Sequence, residues 1–122
     1  MARVLVVDDE PLIAMALEAA LEDAGYRVMT AANGRQGLER LAEAAAHVVL
    51  LDMMMPVMNG PAMLEAMAAD PSLHGIPVIV LSSLPERSIR TQADRVVEVL
   101  RKPYTADEVL EAISRVLGRR TG

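Results

Sequence analysis

Five side chains suited to phosphoryl-transfer chemistry stand at the ends of aliphatic runs. Val4-Leu5-Val6-Val7 runs into Asp8-Asp9, and Val48-Val49-Leu50-Leu51 runs into Asp52. Val78-Ile79-Val80-Leu81 stops at Ser82, and Val96-Val97-Glu98-Val99-Leu100 leads through Arg101 to Lys102-Pro103. If these runs are parallel strands, all four endpoints share one sheet edge, where open α/β sheets bind their ligands. Three carboxylates, a hydroxyl and an ammonium then converge. Clustered carboxylates repel one another, and a hard divalent cation such as Mg²⁺ relieves the repulsion by taking oxygen ligands. A carboxylate can also accept a phosphoryl group as an acyl phosphate. The transferring group spreads its charge over three equatorial oxygens, which a cation, Lys102 and the Ser82 hydroxyl could share. Taken singly, each residue has a plainer reading. Asp8-Asp9-Glu10 suits an exposed loop before a helix N-terminus, Ser82 an ordinary strand end, and Lys102 a solvated turn. Only the set points to phosphoryl transfer.

Strand and helix signals alternate five times along the chain, the pattern of βαβ units on a parallel sheet. Residues 3–7 form a continuous apolar run of the kind buried on both faces. Pro11 suits a first helical turn, and that helix is expected to reach about Ala24 and stop at Gly25. A weaker strand covers Arg27 to Ala31. After the Asn33-Gly34 turn, a second helix carries Leu38 and Leu41 and ends near Ala46. The third strand is 48–52, followed by a loop from Met53 to Asn59. Gly60-Pro61 opens a third helix that ends before Asp70-Pro71, and Pro77 leads into the fourth strand. A short fourth helix is expected over residues 86–93 and a fifth strand over 96–100. Thr105 caps the last helix, with Glu108 completing a capping box. Right-handed crossovers permit a doubly wound three-layer sandwich, for which 2-1-3-4-5 is one common strand order.

The 122 residues predict one domain, spanning 1–122. Hydrophobic residues make up 52% but aromatics only 2%, so the core must be aliphatic, with nine methionines filling irregular gaps. A net charge of −5 argues against general affinity for nucleic acid or anionic membrane. Without cysteine there is no disulfide or thiolate metal site. No signal peptide precedes the first run, and no apolar stretch approaches the ~20 residues of a membrane span. The expectation is a soluble, cytoplasmic protein, monomeric or weakly dimeric.

Asp8-Asp9-Glu10-Pro11, the stretch from Asp52 through Pro56 and Met58-Asn59-Gly60, Ser82-Ser83 and Lys102-Pro103-Tyr104 together resemble the receiver domain of two-component response regulators. The likeness runs through nearly the whole chain in the right order. It implies a (βα)₅ flavodoxin-like sandwich with strand order 2-1-3-4-5. It further implies that Asp52 takes a phosphoryl group from a phosphohistidine on a histidine kinase or phosphotransfer protein. By the same resemblance, Asp9, Asp52 and the Met54 backbone carbonyl bind Mg²⁺, with Asp8 acting through water. Ser82, Ser83 and Lys102 hold or respond to the phosphoryl group, and the bond to Pro103 is cis. Such a protein modifies only its own Asp52 and is not otherwise an enzyme.

Several positions depart from the family pattern. Val99 stands where most receivers carry an aromatic that changes exposure on activation, Ser82 replaces the commoner Thr, and Ser83 the usual small Ala. The Ser82-to-Lys102 interval is short. Any switch is therefore expected to work by movement of residues 83–95 without a ring flip. Met54 and Leu84, each two residues beyond a site residue, either cover the phosphate with apolar surface or point to solvent. The first helix carries more apolar residues than one buried face needs. Ile13, Leu17, Ala20 and Ala24 form the expected core stripe, and Leu12, Met15, Ala16 and Ala19 a second. The second stripe reflects either alanine-rich helix propensity or, with Pro103 and Tyr104, a docking face for the histidine-bearing partner. Competing readings are a non-phosphorylated pseudo-receiver, the receiver fragment of a larger regulator, a flavin- or nucleotide-binding module and a haloacid-dehalogenase-type phosphatase. Asp8-Asp9-Glu10 fits neither of the last two, lacking both a glycine-rich phosphate loop and the D-x-D nucleophile motif.

Overall fold

The computed structural model describes residues 2–83 and 96–121. Five aliphatic runs form parallel strands: β1 (Arg3–Val7), β2 (Arg27–Ala31), β3 (Val48–Asp52), β4 (Val78–Ser82) and β5 (Val96–Arg101). They lie in the order β2-β1-β3-β4-β5. Helices α1 (Pro11–Asp23), α2 (Gly34–Glu43), α3 (Gly60–Ala69) and α4 (Ala106–Thr121) cover the two faces. The short helix expected over 86–93, the movement expected of 83–95 and the environment of Leu84 lie outside the described residues, Ser83 excepted.

Alternation along the strands divides the core into two layers. Leu5, Val7, Val49, Leu51, Val78 and Val80 pack toward α2 and α3, against Leu41, Met63, Leu64 and Met67. Val4, Val6, Val48, Leu50, Ile79 and Leu81 pack toward α1 and α4. Burial on both faces is what continuous Val/Leu/Ile runs are suited to. Met63 and Met67 are fully buried, filling the space that an interior without phenylalanine or tryptophan leaves open.

The helix termini follow local chemistry. Asn33 caps α2 by accepting from the Gln36 N–H at 2.9 Å, and Asn59 caps α3 by accepting from the Ala62 N–H at 3.0 Å. At α4 the capping box forms in both directions. The Thr105 hydroxyl accepts from the Glu108 N–H at 3.1 Å, and Glu108 Oε1 accepts from the Thr105 N–H at 3.0 Å.

One buried face and two boundaries differ from expectation. The buried stripe of α1 is Ala14, Leu17 and Leu21, with Ile13 only partly buried, Ala20 half-buried and Ala24 an exposed cap. Apolar residues surround this helix, so sequence alone does not set the phase of its buried face. Helix α2 ends at Glu43 because Ala44 is already extended (φ −154°, ψ 132°), and Ala46 is buried in the segment entering β3. Strand β5 runs one residue further, to Arg101. Its pairing with β4 also slips, since Val78 faces Val96 but Ile79 faces Glu98, leaving Val97 as an extra residue. Beyond the bulge Ser82 faces Arg101. Glu98 accepts two hydrogen bonds from Arg115 at 2.9 and 3.0 Å, tying β5 to α4. Among the described residues, no helix is long and apolar enough to cross a membrane.

Candidate functional site

The parallel registers bring the strand ends together one residue at a time. Val7 faces Leu51, so Asp8 and Asp52 leave neighbouring strands side by side. Asp52 faces Leu81, and Ser82 faces Arg101, next to Lys102. The Lys102 N–H donates to the Ser82 carbonyl at 2.9 Å, holding the start of the β5–α4 turn against β4. The Lys102-Pro103 bond is cis, as expected.

Asp52 is 3% exposed. Its Oδ1 accepts from Lys102 Nζ at 3.3 Å and from the Met54 N–H at 3.3 Å. Both contacts fall on one oxygen. Asp8 is 2% exposed; its Oδ1 accepts from the Glu10 N–H at 2.9 Å, while its Oδ2 is buried without a partner. Desolvation holds the Asp8 carboxyl above its ordinary range. The Glu10 N–H opposes that rise, the Asp52 charge adds to it, Lys102 lowers it and Glu10 raises it slightly. Asp9 is half-buried and Glu10 exposed, yet carboxylate oxygens of Asp8, Asp9 and Glu10 lie within 4.8 Å of one another.

A buried, unpartnered carboxylate oxygen among crowded acids is the donor chemistry a hard divalent cation satisfies. The residues present therefore fit Mg²⁺. Glu10, an exposed residue that would suit a loop equally well, contributes the third close carboxylate.

The ionised Asp8 carries a stability consequence. A raised carboxyl keeps its proton in the fold at pH values where the unfolded chain, titrating near 3.8, has lost it. The associated stability is complete below that value and disappears as pH rises through the folded value. At neutral pH without cation, Asp8 thus weakens the fold. Asp8→Asn is expected to raise stability by about 1 kcal/mol in chelator at neutral pH, as functional-site residues often allow. In acid below the ordinary carboxyl value the gain should vanish. Denaturant melts at the two pH values measure it, and equal stability of both proteins at neutral pH would contradict the electrostatic account.

The remaining residues named from sequence are distributed around this centre. Ser82 is buried and Ser83 exposed. Met54 is 70% exposed, so its side chain stands largely in water rather than over the carboxylates. The β3–α3 loop turns sharply at Val57, whose φ is 67°, with the Met58 N–H donating to the Pro56 carbonyl at 2.7 Å. A left-handed β-branched residue is a strained choice for such a turn. Gly60 then returns the chain against the site, its N–H donating to the Met53 carbonyl at 3.1 Å. Val99 is partly buried against the α2–α3 core layer.

Leu12 and Met15 are 80% and 62% exposed, and Ala16 and Ala19 are exposed beside them. Leu12, Ile13, Ala16, Pro103 and Tyr104 line one apolar groove, whereas Met15 borders a separate cleft with Asp8 and Asp9. Tyr104 packs its ring into the α1–α4 core layer and leaves its hydroxyl buried without a partner.

A family model described as the response regulator receiver domain matches residues 4–114. The chain is 33% identical over 119 residues to the protein PilH of Pseudomonas aeruginosa, covering 96% of this chain and 98% of that one. It is 34% identical over 118 residues to the chemotaxis protein CheY of Thermotoga maritima, covering 93% and 96%. Among solved structures, chemotaxis protein CheY4 of Vibrio cholerae superposes with a TM-score of 0.89 at 31% identity, covering 95% of this chain and 98% of that one.

Proposed function

Because the chain belongs to the response regulator receiver domain family, we propose that it accepts a phosphoryl group from a partner phosphohistidine onto Asp52 and thereby changes its affinity for a downstream protein. The observation carrying this reading is the buried Asp52 with Lys102 at 3.3 Å and Asp8 beside it. An oxygen of Asp52 attacks phosphorus, the new O–P bond forms as the P–N bond breaks, and the histidine leaves with its electron pair and takes up a proton. Lys102 neutralises one phosphoryl oxygen and the Ser82 hydroxyl donates to another. Asp9, Asp52 and the Met54 carbonyl, with Asp8 through water, would hold Mg²⁺, which would supply positive charge against the incoming group. Apart from acquiring and losing its own phosphate, the protein turns over no substrate. The apolar groove of α1 with Pro103 and Tyr104 is where the histidine-bearing helix docks. A cytoplasmic location follows from such a partner.

The complete set of acids, lysine and hydroxyl favours this over a pseudo-receiver that acts by binding alone. The test is incubation with Mg²⁺ and a small acyl-phosphate donor, read by intact mass. A gain of one phosphate that chelator prevents is the expected result. No gain in either condition, with the chain folded, would overturn the proposal.

A further inference from the structure

Between Asp52 and the cap of α3 the chain makes a turn in an unfavourable backbone conformation. Pro56-Val57-Met58 is closed by the Met58 N–H donating to the Pro56 carbonyl at 2.7 Å, around a Val57 φ of 67°. That is the rare, strained hand of γ-turn. Val57 is 78% exposed, so its side chain offsets none of the strain by packing. A strained conformation persists only where its surroundings over-determine it. Here the hold comes from α2. The Gly34 N–H donates to the Met58 carbonyl at 2.9 Å, and the Met58 side chain packs against the α2–α3 core layer. Glycine permits that approach: a Cβ on Gly34 would lie 2.8 Å from Met58 Cγ, 2.9 Å from the Met58 carbonyl oxygen and 3.0 Å from Met63 Cβ.

The other end of the loop is fixed as well, by the Gly60 N–H donating to the Met53 carbonyl at 3.1 Å. Met54 stands between the two anchors. Its side chain is 70% exposed, and its N–H donates to Asp52 Oδ1 at 3.3 Å. With little packing of its own, its backbone goes where the anchors put it. We infer that Gly34 is a positioning residue for the Asp52 site, acting through the stiff turn at Val57 on the backbone of Met54. A β-branched residue at positive φ has only a narrow region open to it. A displacement of Met58 therefore passes along the turn, whereas glycine in place of Val57 would absorb it.

The inference rests on the reading of the Met54 carbonyl as a Mg²⁺ ligand, and the test separates the two. Coupling between sites is reciprocal, so a latch that favours Mg²⁺ must itself tighten when Mg²⁺ binds. Amide exchange of the full chain is followed with and without saturating Mg²⁺. The Gly34 amide is expected to slow by roughly fivefold or more, relative to the Ala44 amide at the other end of α2, which donates to the Arg40 carbonyl at 3.0 Å. By calorimetry, Gly34→Ala should bind Mg²⁺ weaker by a similar factor, roughly fivefold or more. Adding Val57→Gly should recover most of that loss, which a chain merely less stable would not show. Should Gly34→Ala not fold, the amide measurement on the parent chain decides alone. An unchanged Gly34 amide, or equal Mg²⁺ affinity in Gly34→Ala, would overturn the inference and leave the receiver reading standing. So would a loss that Val57→Gly leaves in place. Failure of the parent chain to bind Mg²⁺ would overturn both.

Discussion

Asp52→Asn is expected to abolish phosphate uptake from an acyl-phosphate donor, by at least roughly a thousandfold, the scale on which nucleophile replacements act. The amide has nearly the same shape, and its oxygen can still accept from Lys102 and from the Met54 N–H, which lie at 3.3 Å in the parent. It cannot form an acyl phosphate. Substitution also removes a negative charge beside the desolvated Asp8, so loss of activity should come without loss of stability. Intact mass after incubation with Mg²⁺ and donor reads the first effect, and a denaturant melt reads the second. Hydroxylamine adds a chemical signature, because it cleaves an acyl phosphate and leaves a serine phosphate intact. If Asp52→Asn still gains a hydroxylamine-resistant phosphate, the acceptor is a hydroxyl, and the buried Ser82 becomes the leading site.

Gly60→Ala is expected to cost about 3 kcal/mol, equivalent to a fall of ~10 °C in melting midpoint for a domain of this size. An added Cβ would lie 2.7 Å from Met53 Cα, 2.7 Å from Met53 Sδ and 3.0 Å from the Asp52 carbonyl oxygen. Two of these three atoms are backbone, so no rotamer change relieves the contact. Met53 is buried and follows Asp52 directly, and relief must come from displacing the end of β3. Phosphate uptake should therefore slow in whatever fraction remains folded. Gly75→Ala is the matched control, because nothing lies within 4 Å of its added Cβ. A melt in which both variants match the parent would show that the β3–α3 loop yields without resistance.

The strand ends were legible because each is a run of aliphatic residues broken by a chemically distinct one. Burial of both sheet faces lets such a run be read without any periodicity. The capping of α4 was legible for a local reason, since Thr105 and Glu108 need only each other. Helix α1 was harder. Leu12 and Met15 are as apolar as Leu17 and Leu21, and only the packed structure distinguishes the exposed pair from the buried one. Glu10 became part of the acidic cluster through its backbone and the turn it occupies, neither of which composition reveals. The Tyr104 hydroxyl was hidden behind a ring that served equally well as groove lining. Close approach at Gly60 left no mark beyond the glycine itself, because the atoms it admits come from the end of β3 and the first residue after it.

The slip in pairing at Val97 acts as a change of phase. Counted from Val96 opposite Val78 without the extra residue, Leu100 would stand opposite Ser82. Even-numbered side chains of β5 would then point toward α2 and α3. With one residue absorbed, odd and even exchange sides: Val99 joins Val80 in that layer, and Leu100 joins Leu81 on the opposite side. Lys102, two steps after Leu100, inherits the side shared by Val4, Val6 and Asp8 on one strand and by Val48, Leu50 and Asp52 on another. A single unmatched valine at the far end of the strand thus decides on which side of the sheet the ammonium emerges.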